Sequence, residues 1–118
     1  MSYDISFKAK VEGTDTYIIV GECYANITWN VGKMIRASTG LEWRNGGNNG
    51  LCSEVIPCIG RGYTELLTYP EKYKQYEASN GWGTLGSTKR FFRDILDAWD
   101  KLKESAPELA RVATFWIE

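Results

Sequence analysis

Residues 3–11 alternate without interruption: Tyr3, Ile5, Phe7, Ala9 and Val11 fall on one side, Asp4, Ser6, Lys8 and Lys10 on the other. A period of two sustained this long marks a strand with one buried face; a helix would scatter the same apolar residues around its circumference. The chain is therefore committed from its first residues to a sheet that buries one side. Glu12-Gly13-Thr14-Asp15 supplies turn chemistry. Thr16 to Glu22, with the β-branched run Ile18-Ile19-Val20, then predicts the second arm of an antiparallel hairpin.

The period changes next. Ile27, Val31, Met34 and Ile35 are spaced i, i+4, i+7, i+8, one face of a helix. Asn26 or Thr28 can cap its start, and Gly40 stands where a left-handed residue would end it. Arg44-Asn45-Gly46-Gly47-Asn48-Asn49-Gly50 reads as a loop. Val55, Ile56, Ile59, Tyr63, Leu66 and Leu67 form a second helical stripe. Pro57 is tolerated only near that helix's first turn, which predicts a start around residues 53–56. Pro70 opens a short helical piece over 71–77, and Ser79 to Gly86 forms another loop. The clearest helix covers 87–104, with Phe91, Ile95, Trp99 and Leu102 on its apolar stripe. Pro107 follows its end, and Val112 to Ile117 predicts a last strand.

Strands at both ends with helices between predict an α+β fold. Its small, mainly antiparallel sheet would comprise the N-terminal hairpin plus the C-terminal strand, covered on one face by three to four helices. A chain of 118 residues has room for one such core, so residues 1–118 read as a single domain.

Composition narrows function by exclusion. The formal net charge is -1, which disfavours nonspecific nucleic-acid binding. His is absent, which removes Ser-His-Asp and Cys-His catalysis and His-containing zinc sites. The carboxylates are scattered, with no glycosidase pair and no hard-metal cluster. These gaps favour a binding protein over an enzyme, with no cofactor. Met1-Ser2-Tyr3-Asp4 lacks the basic and apolar regions of a secretory signal, and the longest apolar runs fall far short of a membrane span. The odd set Cys23, Cys52 and Cys58 reads as free thiols of a reducing compartment, hence a cytoplasmic protein.

Five Trp in a chain this small exceed what one core needs. Trp99 lies on the helical stripe and Trp116 in a strand, so both read as packing. Trp29, Trp43 and Trp82 fall outside any periodic face. An indole off the buried stripe, flanked by amides and hydroxyls, suits stacking of a flat group and hydrogen bonding to its edge. Asn26, Thr28, Asn30, Asn48 and Asn49 are the candidate edge readers, although Asn48 and Asn49 also suit capping. Gly81-Trp82-Gly83-Thr84-Leu85-Gly86 fits G-x-G-x-x-G but lacks the preceding strand of a dinucleotide fold, and Ser87 replaces the P-loop lysine. A glycine-rich turn feeding a helix still presents backbone N–H groups to an anion. Thr84, Ser87, Lys89 and Arg90 would help there, with Arg36 and Arg44 as further phosphate candidates. The same three Trp could instead form a secondary aromatic cluster under the loops.

Tyr3-Asp4-Ile5-Ser6-Phe7, Asn26-Ile27-Thr28-Trp29-Asn30, Glu54-Val55-Ile56-Pro57 and the Gly-rich stretch before a Phe/Leu-rich helix resemble a family of small, largely uncharacterised proteins. They are encoded by tailed bacteriophages and prophages of Gram-positive bacteria. The resemblance implies an accessory protein acting inside the infected cell, often in counter-defence. Two roles follow from it. One is sequestration of a host nucleotide-derived immune signal, of ADP-ribose or cyclic-nucleotide type, by a homo-oligomer. The other is inhibition of a host defence protein such as a nuclease.

Overall fold

The computed structural model describes residues 1–118, and the alternating stretch is strand β1 (Ser2–Lys10). Tyr3, Ile5, Phe7 and Ala9 are buried, while the residues between them are exposed or half-buried. β5 (Thr114–Ile117) runs antiparallel along one edge of β1, with Phe7 opposite Phe115. The other edge is shared by β2 (Tyr17–Ile19), against Lys8 to Lys10, and β3 (Asn26–Thr28), against Ser2 to Asp4. β4 (Gly47–Leu51) pairs with the far side of β5, giving the order β2-β1-β5-β4. The predicted antiparallel sheet is therefore present, with the C-terminal strand beside the first hairpin, and the fold is α+β.

Two strands stand where other structure was predicted. Asn26 and Thr28 do not cap a helix. Asn26 donates its side-chain amide to the Asp4 carboxylate across the β1–β3 pair, and Thr28 makes no side-chain cap bond. A 3-10 turn (Trp29–Val31) then leads into α1 (Gly32–Thr39). Ile27, Val31, Met34 and Ile35 are all buried, so their spacing reported a shared inward direction rather than the helix start. Gly40 ends α1 as predicted, at φ +74 with its N–H on the Arg36 carbonyl.

Of the loop predicted over 44–50, residues 44–46 are irregular, but the rest belongs to β4. Asn48 lies opposite Trp116 but Leu51 opposite Thr114, so one extra residue bulges between them. Gly50, at φ +113, takes the conformation that such a bulge requires. The Asn48 side-chain oxygen accepts the Gly50 N–H at 2.8 Å and braces it.

The helical layer comprises α1, α2 (Cys52–Thr68), α3 (Pro70–Lys74), α4 (Leu85–Ser105) and α5 (Pro107–Val112). Pro57 sits in the second turn of α2, on its exposed side, where the carbonyl freed by the missing N–H can reach water. Pro107 does not merely follow α4; it opens α5, where a missing N–H costs nothing. All 28 buried apolar residues join one cluster, which the sheet's inward face and the helices close together. No helix is long and apolar enough to cross a membrane.

Two glycines of α2 test the packing. A β carbon at Gly62 would lie 2.6 Å from Thr39 Cγ2 and 3.1 Å from Phe92 Cε2, so α1 and α4 close on α2 there. At Gly60 the nearest atom is Leu96 Cδ2 at 4.0 Å. Gly62→Ala should destabilise the protein by about 1–3 kcal/mol through overpacking. Gly60→Ala should stabilise it by up to about 1 kcal/mol through helix propensity. Urea unfolding of both variants checks the opposite signs.

Candidate functional site

Trp29 opens the 3-10 turn and is fixed on two sides. Its Nε1–H donates to the Ser2 carbonyl at 2.8 Å, and its ring lies against Tyr3 at a centroid distance of 6.2 Å. The ring remains 39% exposed. Trp82, 69% exposed, stands on the loop before α4. That loop is seated by Gly83, at φ +81: a β carbon there would be 2.5 Å from Val31 Cγ1 and 2.9 Å from Thr28 Cγ2. Only glycine lets the backbone rest on the 3-10 turn, and this close approach sets Trp82 on the cleft that Trp29 also lines.

Trp29, Trp82, Asn26, Thr28, Asn30 and Ser87 line one cleft of about 810 Å³. Trp29 and Asn30 also wall an adjoining groove of about 570 Å³ with Lys33, Arg36, Gln75, Tyr76 and Glu77. Neither Lys33 nor Arg36 has an ion-pair partner. Arg36 lies over Gly32 near Tyr3: a β carbon on Gly32 would come within 2.7 Å of Tyr3 Oη and 3.2 Å of Arg36 Nη1. Two indole faces and two free cations thus border connected space. The sequence reading missed Lys33, although it stands three residues before Arg36 and so shares its face of α1. Gln75, Tyr76 and Glu77 gave no signal, because only the tertiary fold brings them there.

The other sequence candidates go elsewhere. Trp43 is buried, 4% exposed, and is packed by Tyr3, Phe91 and Phe115 at centroid distances of 5.6, 5.9 and 5.9 Å. Three aromatic neighbours crowd it and leave it almost fully buried, so its predicted stacking role is corrected to a core role. Arg44, Asn48 and Asn49 line a separate cavity with it. Arg44 pairs with Glu42 at 3.1 Å, and Asn49 donates its amide to the carbonyls of Arg44 and Gly47, at 3.2 and 2.9 Å. Trp99 is buried, as predicted, and Trp116 is half-covered by Lys8 and Tyr17.

The N-terminus of α4 is filled by the protein itself. Ser87 N–H donates to Thr84 Oγ1 at 3.1 Å, and Thr84 N–H donates to Ser87 Oγ at 2.8 Å, a reciprocal capping box. Leu85 N–H donates to the Glu77 carboxylate at 2.9 Å. An incoming phosphate would have to displace that carboxylate. Lys89 is half-buried and Arg90 exposed, and neither lines the cleft or the groove. The anion site predicted from Thr84, Ser87, Lys89 and Arg90 is therefore a helix cap, and the available cations are Lys33 and Arg36.

No three His, Cys, Asp or Glu side chains converge as a metal site would require. Burial pushes the Cys52 thiol up to about 12 and the Cys23 thiol up to about 11, so both stay protonated at neutral pH. Comparisons with family models, curated proteins and solved structures return no match for this chain.

Two outcomes follow. At pH 8 a disulfide reagent should titrate half-buried Cys58 in the native protein well before buried Cys52, which should react fully only in denaturant; equal rates for these two would contradict the burial. Gly81 and Gly83 both have positive φ, but a β carbon at Gly81 meets nothing within 4 Å. Gly81→Ala should cost only the conformational penalty, about 1–2 kcal/mol. Gly83→Ala should cost measurably more and shift Trp fluorescence, as followed by urea unfolding.

Proposed function

We propose that the protein is a non-catalytic binding protein that sequesters a small nucleotide-derived molecule. Its flat ring is held on Trp29 and Trp82, and its phosphates on Lys33 and Arg36. The observation that carries this reading is the position of Trp29, which is a wall of both the aromatic cleft and the cationic groove. Stacking of a base on an aromatic side chain contributes about 1–3 kcal/mol. Cations without internal partners add charge-assisted hydrogen bonds to phosphate. Asn30, whose side chain makes no internal hydrogen bond, and the Thr28 hydroxyl are placed to read ring edges. Combined with the sequence resemblance to phage proteins, the ligand class becomes a host immune signal of ADP-ribose or cyclic-nucleotide type, taken up in the cytosol and released unaltered.

The exposure of Trp82 favours one other reading, in which the same face docks on a host defence enzyme such as a nuclease, since Trp and Arg dominate protein interfaces.

Thermal unfolding with ADP-ribose, cyclic mononucleotides and cyclic dinucleotides separates the two. A ligand present at about 100 times its Kd adds about 2.7 kcal/mol, a shift of several degrees. Trp29→Ala, Trp82→Ala and Arg36→Ala should each weaken binding by about tenfold or more, while Lys89→Ala and Arg90→Ala should leave it unchanged. Absence of any shift, with a stoichiometric complex formed on a defence enzyme, would replace sequestration by the docking reading.

A further inference from the structure

Glu77 is the one acid among the residues that line the groove beside Trp29. Two helices hold it in place. Its backbone N–H donates to the Lys74 carbonyl at 3.0 Å, which ties it to the end of α3, and its Oε2 accepts the Leu85 N–H at 2.9 Å, which ties it to the start of α4. Oε1 has neither a hydrogen bond nor an ion pair within the protein. Trp43 Nε1 is the only buried side-chain nitrogen or oxygen without a partner, so Oε1 of half-buried Glu77 is open to solvent.

Lys33 and Arg36 border the same groove from α1, and neither pairs with Glu77. Opposite charges that line one space without closing on each other leave room for a guest between them. Such a guest brings an anion to α1 and a hydrogen-bond donor to residue 77. An ammonium donor would add positive charge to a groove whose cations already outnumber its acid. A hydroxyl donates without charge, and its bond to a carboxylate is of the stronger, charge-assisted kind. A sugar phosphate combines the two groups, and ribose keeps a 2′-hydroxyl where deoxyribose has only hydrogen.

We infer that Glu77 is a specificity-determining residue that selects ribonucleotides over deoxyribonucleotides: Oε1 accepts from the ribose 2′-hydroxyl while Lys33 and Arg36 hold phosphate. This role rests on the nucleotide reading of the site and adds the sugar to it. The Leu85 N–H fixes the carboxylate before the ligand arrives, so little ordering is needed on binding. A site that hydrogen-bonds a hydroxyl rejects the analogue lacking it, because its own polar group then loses a partner.

Calorimetric titration of the full chain with cyclic AMP, cyclic di-AMP and ADP-ribose, each beside its 2′-deoxyadenosine form, tests this role. Whichever probe binds should do so about tenfold or more tightly in its ribo form. Glu77→Gln keeps a carbonyl oxygen for the Leu85 N–H, so the cap is retained. It should abolish the preference by weakening the ribo form, while the deoxy form binds as well as before or better, because a negative charge near the phosphate is gone. Equal binding of ribo and deoxy forms by the wild-type chain would overturn the role of Glu77 and leave nucleotide binding standing; that comparison needs no variant and decides even if Glu77→Gln does not fold. A Glu77→Gln chain that weakens both forms alike, or keeps the preference, would reduce Glu77 to a structural cap. Binding of none of these probes would overturn the role together with the nucleotide reading.

Discussion

Strand β1 is the constraint on which the rest of the molecule depends. It is hydrogen-bonded along both edges, to β5 on one side and to β2 and β3 on the other, so its register sets that of three other strands. A slip of one residue would turn Tyr3, Ile5, Phe7 and Ala9 outward and bring Asp4, Ser6 and Lys8 against the helices. Tyr3 carries the consequence outward to the surface. Its ring lies edge-on to Trp43 in the core and beside Trp29 at the surface, so one side chain of β1 links the two indoles.

The charges are divided as well. Arg44 is bound to Glu42, and the N-terminus of α4 is occupied by Glu77 and its own capping box. Lys33 and Arg36 are left unpaired, and they share a groove with Trp29, which is anchored through its Nε1–H and still partly open to solvent. The groove's cations without ion-pair partners therefore stand on α1, while the glycine-rich turn is closed by its own cap. That turn's contribution is steric: Gly83 admits the close approach that sets Trp82 on the cleft.

Much of this was legible in the residues. The strict alternation of β1, the stripe Phe91, Ile95, Trp99, Leu102 and the β-branched C-terminus suffice for an α+β fold with its end strands paired. The losses have distinct causes. β4 is written in Asn and Gly, residues that normally mark turns, and it is a strand because β5 offers a ladder and Gly50 a bulge. Trp43 shows no period because it enters the core from an irregular segment, where neither the helical nor the strand template applies. Trp29 and Trp82 were identifiable as off-pattern indoles, but their place on one cleft depends on Gly83, which sequence shows only as one more loop glycine. The filling of the α4 N-terminus by Glu77 joins residues of different segments and leaves no local pattern.

The most direct measurement is the mass spectrum of small molecules released by heat from the purified protein after exposure to extract of defence-active cells, taken in parallel with a Trp29→Ala, Trp82→Ala double variant. The account predicts an intact phosphorylated nucleoside derivative released by the wild-type chain and absent from the variant. Identical spectra from the two proteins, or recovery of only a hydrolysed product, would contradict it.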